Sequence, residues 1–61
     1  MKFIKVTMKR DDGKVTDVYM NPAGVVFMWR DEDVTRIYFN GGFSQMVNET
    51  PEQIIALMGV I

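Results

Sequence analysis

Turn and break signals cut this chain at short intervals, and every segment they leave before the last is of strand length. From Phe3 to Lys9, Ile4, Val6 and Met8 alternate with Lys5, Thr7 and Lys9, the pattern of a half-buried strand. Asp11-Asp12-Gly13 supplies a reversal, because Asp-Gly tolerates the positive φ of tight turns, and a second strand is expected over Lys14 to Met20. Asn21-Pro22 breaks the pattern, since proline has no amide hydrogen for a ladder. The next segment, Gly24 to Trp29, contains an unbroken apolar run and reads as a strand buried on both faces.

Charged residues Arg30-Asp31-Glu32-Asp33 then turn the chain into a fourth strand, Val34 to Phe39. Asn40-Gly41-Gly42 is the strongest hairpin signal in the chain, because Asn-Gly fits the type I′ turn that matches strand twist, and it predicts a fifth strand, Phe43 to Val47, paired back on the fourth. Thr50-Pro51-Glu52-Gln53 is a capping box: a threonine N-cap, proline at the first helical position and glutamine at the third. The helix it opens carries Ile54, Leu57, Met58 and Ile61 at helical spacing, with Ile55 at the margin of that stripe. The expected fold is therefore mainly β (α+β): a single small domain over residues 1–61, with a five-stranded antiparallel meander or small barrel and one C-terminal helix.

A chain of 61 residues buries only about 60% of the surface its unfolded form exposes, so its stability needs support. With no cysteine and no histidine, neither disulfides nor a structural zinc can supply it. Association with other subunits remains, and the 48% apolar content exceeds what so small an interior can absorb. A homo-oligomer is expected, with Val25, Phe27 and Trp29 on one face of the third strand and Ile55 on the helix as interface residues. No apolar run approaches the about 18 residues of a membrane span, and no signal-peptide layout is present, which points to a cytoplasmic protein. Seven basic against eight acidic residues disfavour nucleic acid as a partner.

The residue order resembles that of the flagellar FlbD-like family of very small bacterial proteins. Four stretches carry the resemblance: Ile4-Lys5-Val6-Thr7, Tyr19-Met20-Asn21, Thr35 to Gly41, and Val47 to Ile54. Its first hairpin, Met8 to Lys14, is longer than the family's, and its third strand is more aromatic. The resemblance implies a non-enzymatic protein acting through protein–protein contacts. Family members are linked to flagellar motor function and swarming, and small proteins of similar pattern occur in phages and mobile elements.

Catalytic chemistry has little to work with: Ser44 is the one serine, and no histidine or cysteine can serve as base or nucleophile. No enzyme activity, cofactor or metal site is expected. Asp31-Glu32-Asp33 lacks the glycine and the ligand spacing of a calcium loop and reads as a solvated turn. Lys5 and Lys9, with Lys2 and Arg10 nearby, read as protection of a strand edge rather than a phosphate track. Six methionines fit ordinary packing. Tyr19, Trp29, Arg36 and Tyr38 form the strongest candidate constellation, because aromatic faces beside a guanidinium suit a nucleotide-like anion. The same side chains are those enriched at subunit interfaces, and a ligand pocket formed between subunits satisfies both readings.

Overall fold

Two short antiparallel sheets and a helix enclose one small core in the computed structural model, which describes residues 2–59. Strands β1 (Ile4–Lys9) and β2 (Val15–Met20) pair with Ile4 opposite Met20 and Val6 opposite Val18. Alternation puts Ile4, Val6 and Met20 inside and leaves Lys5, Lys9, Asp17 and Tyr19 exposed. Their reversal is closed by the Arg10 N–H on Lys14 O (2.7 Å) and the Gly13 N–H on Arg10 O (2.9 Å). Gly13 takes φ 85°, which a side chain would resist.

The second sheet has the order β3-β4-β5, from β3 (Val25–Asp31), β4 (Val34–Phe39) and β5 (Phe43–Val47). β3 outruns its expected end at Trp29, because Arg30 and Asp31 stay in register with Thr35 and Val34. It is also an edge strand with no fully buried residue, so its apolar run is not buried on both faces as the sequence suggests. β4 and β5 are joined by three residues, with Phe39 opposite Phe43, rather than by a two-residue type I′ turn. Gly41 and Gly42 both adopt positive φ, 89° and 84°, which spreads the reversal over Asn40, Gly41 and Gly42.

A β-bulge changes which β3 residues share a face. Val25 lies opposite Phe39 and Phe27 opposite Tyr38, so Val26 is the extra residue. Beyond it the alternation reverses. Val25 therefore packs against the core, while Phe27 and Trp29 project from the other side of the sheet, and the expected grouping of all three on one face does not hold.

The fold is mainly β with five antiparallel strands and one C-terminal helix, as expected, but the strands divide into two sheets that do not close into a barrel. β2 and β3 are not paired, because the chain between them coils into a single 3-10 turn, Pro22–Gly24, held by the Ala23 N–H on Asn21 Oδ1 (3.0 Å). The sheets meet instead at β1 and β5, where the Asn48 N–H donates to Thr7 O (2.8 Å). Between their inner faces lie Ile4, Val6, Met20, Ile37, Val47 and Ile54, with Val18, Val25, Met28, Phe39 and Met58 packed around them.

Helix α1 (Pro51–Met58) starts where the capping box places it. The Gln53 N–H donates to Thr50 Oγ1 (3.2 Å), and the Thr50 N–H donates to Gln53 Oε1 (2.8 Å). Two turns reach the core with two residues, Ile54 and Met58, which stand one above the other four positions apart. Leu57 and Ile55 are exposed, so the apolar stripe is narrower than expected, and Ile61 lies outside the described residues. Thr50→Ala removes one acceptor from the first turn and should cost about 1 kcal/mol, read as a lower urea midpoint with an unchanged slope.

Candidate interaction surface

The outer face of the β3-β4-β5 sheet collects the aromatic residues. Register places Trp29 opposite Arg36 and Phe27 opposite Tyr38, and continues the rows to Met46 and Ser44 on β5. The three rings stack on one another: Phe27 and Tyr38 at 4.7 Å between centroids, Trp29 and Tyr38 at 5.2 Å, and Phe27 and Trp29 at 5.7 Å. Each such pair is worth about 0.5–1.5 kcal/mol beyond area burial, which favours the stacked arrangement. Yet Phe27 is 49% and Trp29 44% exposed, so much of this aromatic platform faces water.

Of the four residues expected to act together on a ligand, Trp29, Arg36 and Tyr38 share this face. Tyr19 does not: it sits on β2 in the other sheet, opposite Lys5 and 64% exposed. Among the expected interface residues, Phe27 and Trp29 lie on the platform. Val25 packs against the core, and Ile55 is 42% exposed on α1, whose Ile54 docks against the inner side of the fold. Residues far apart along the chain cannot be assigned to a common face from spacing alone.

A second constellation, around Arg30 and Glu49, was not legible as a unit. The Arg30 Nη1 donates to Thr35 Oγ1 (3.1 Å), Asn48 O (2.8 Å) and Glu49 O (3.3 Å), and its Nε donates to Glu32 O (3.2 Å). Thr35, the one buried polar residue described, donates its hydroxyl to Glu49 O at 2.6 Å. The Glu49 carboxylate accepts the Thr7 N–H (2.8 Å) and the Thr7 hydroxyl (2.9 Å). Residues 48 and 49 thereby tie β1 to β3 and β4. Arg30 also secures the turn in which Glu32 takes φ 58°, a conformation that disfavours side chains.

That clamp gives Arg30 and Glu49 structural work. Hydrogen bonds to a charged group are worth about 1.5–3 kcal/mol, and Glu49 provides two across the gap between sheets. Glu49→Ala should therefore lower stability by about 2–3 kcal/mol in urea denaturation. A loss within about 0.5 kcal/mol, typical of an inert surface site, would remove the clamp from this account.

Asp31, Glu32 and Asp33 belong to the tight β3–β4 hairpin, and among the described residues no three acidic side chains are gathered as a metal site. No described helix is long and apolar enough to cross a membrane. No family model, curated protein or solved structure matches the chain.

Proposed function

We propose that this chain is a non-enzymatic binding protein that assembles with a second copy of itself through the outer face of β3-β4-β5. In its assembled form it docks on a larger protein partner, the type of role that the FlbD-like resemblance implies. The observation that carries this reading is the half-exposed Phe27–Trp29–Tyr38 stack. Fully burying one large apolar side chain is worth about 1.5–3 kcal/mol, a large share of the stability available to a domain of this size.

A second copy suits the platform for two reasons. A twofold contact needs only a patch that complements itself, and a stack of rings flanked by Met46 can do so. A standard interface takes about 800 Å² from each partner, near a fifth of the 4418 Å² surface, so the contact must extend from the rings to the neighbouring Arg36 and Ser44 as a polar rim. A cytoplasmic setting belongs to the same proposal, supported by a fold held without disulfides.

Trp29 is the one tryptophan, so its fluorescence reports this face directly. Dilution should shift the emission to longer wavelength as the ring becomes hydrated. Emission unchanged from millimolar to nanomolar protein would oppose self-association through Trp29.

A further inference from the structure

β1 and β5 meet at the Asn48–Thr7 hydrogen bond, and no other backbone bond joins them among the described residues. Beyond it the Gln45 Nε2 donates across the strands to Met8 Sδ (3.4 Å). A groove of about 250 Å³ opens there, with Met8 and Lys9 on one wall and Arg36, Ser44 and Met46 on the other. Its lining includes two cations and no carboxylate. The one ion pair among the described residues joins Arg10 to Asp12, and the Arg30 Nε and Nη1 donate within the clamp. Lys9 and Arg36 thus both line one hollow whose own walls contain no carboxylate. A second hollow, beside the β1–β2 turn, shares Lys9 and adds Arg10, Asp11 and Asp12, so its two cations are offset by two carboxylates.

We propose that this groove binds the phosphate of a mononucleotide, with Lys9 and Arg36 on the phosphate and the base against the Trp29 ring. A guanidinium and an ammonium offer several donors to phosphate oxygens, and the Ser44 hydroxyl adds another. The groove is smaller than the about 300–1,000 Å³ of pockets that enclose a whole ligand. It suits a phosphate and part of a sugar, leaving the base outside. Trp29 stands directly across the strand pair from Arg36, where cross-strand side chains are about 5 Å apart. Bases stack on aromatic side chains that stand beside a positively charged groove, and Trp29, outside the groove's own lining, is placed for that by its pairing with Arg36. All these residues come from one chain, but Trp29, Arg36, Ser44 and Met46 also belong to the proposed self-association face, so the monomer is the form that binds and assembly competes with it.

Calorimetry with adenosine monophosphate, adenosine and inorganic phosphate tests the site, with the Phe27→Glu variant run beside the natural sequence to separate binding from assembly. The monophosphate should bind and quench Trp29, adenosine and inorganic phosphate should each bind at least tenfold more weakly, and added salt should weaken binding. Lys9→Gln and Arg36→Gln should each reduce affinity about tenfold or more, the scale of one lost charge-assisted hydrogen bond, whereas Lys14→Gln, outside the groove, should not. Lys9 is exposed, so its variant keeps the test meaningful should Arg36→Gln fold poorly. Absence of binding at millimolar monophosphate would overturn the proposal. Equal affinity for adenosine would do the same to the phosphate contact, and equal affinity for inorganic phosphate to the base contact.

Discussion

Ile37→Ala and Ile54→Ala should each leave the chain largely unfolded at 25 °C in dilute solution. Both side chains are fully buried, one at the centre of β4 and the other on the inward face of α1, within a core that has six buried apolar residues among the described residues. Truncating a buried isoleucine to alanine costs about 2–5 kcal/mol, through lost burial and the cavity left behind. At about 0.05–0.15 kcal/mol per residue, a chain of 61 residues has roughly 3–9 kcal/mol in total. The two ranges overlap. Circular dichroism across a urea series should show little or no folded baseline in either variant, while Ile55→Ala, changed on the exposed side of the same helix, should stay within about 0.5 kcal/mol of the natural protein. A loss under about 1 kcal/mol at both core positions would mean that the enclosed cluster is not what holds the fold.

Trp29→Glu should have the opposite character, abolishing self-association while the fold persists. The ring packs against Phe27 and Tyr38 on the outer face and contributes nothing to the enclosed cluster, so its loss creates no buried cavity. A glutamate there faces Arg36 across the strands, an opposite-charge pair that sheets accommodate. In a face-to-face contact between copies, however, the same carboxylate would be stripped of water amid apolar rings, at a cost of several kcal/mol. Native-like circular dichroism with loss of the larger species is the expected result, and thermal midpoint should no longer rise with protein concentration. An unfolded Trp29→Glu chain would instead make the platform part of the folding core.

Local signals wrote most of the secondary structure. Thr50 and Gln53 carry a complete capping box in four residues, and the alternation of Ile4, Val6 and Met8 assigns the faces of β1 without any knowledge of its neighbours. β4 and β5 match their expected bounds for the same reason: the turns on either side are encoded next to them. What stayed hidden depends on pairing. The apolar run Val25 to Trp29 looks like a strand buried on both faces, yet it forms a sheet edge, and whether anything pairs beyond it is not a property of the run itself. The bulge at Val26 has no glycine to announce it, and it alone separates Val25 from Phe27 and Trp29. Arg30 and Glu49 look like ordinary charged residues of a turn and a linker. Their roles arise from partners up to 42 positions away, where spacing rules have no reach.

Trp29, Arg36 and Tyr38 could be grouped in advance because strand alternation and an antiparallel partner suffice to bring them together. Tyr19 could not be separated from them without knowing that the chain leaves one sheet at Met20 and enters another at Val25.

Sedimentation velocity of the natural sequence, from high micromolar protein down to the nanomolar range, tests self-association through the outer face most directly when Trp29→Glu is run beside it. The expected result is a species of at least twice the chain mass that gives way to a monomer on dilution, and a folded monomer for Trp29→Glu throughout. A natural chain that sediments as a folded monomer at every concentration would contradict it.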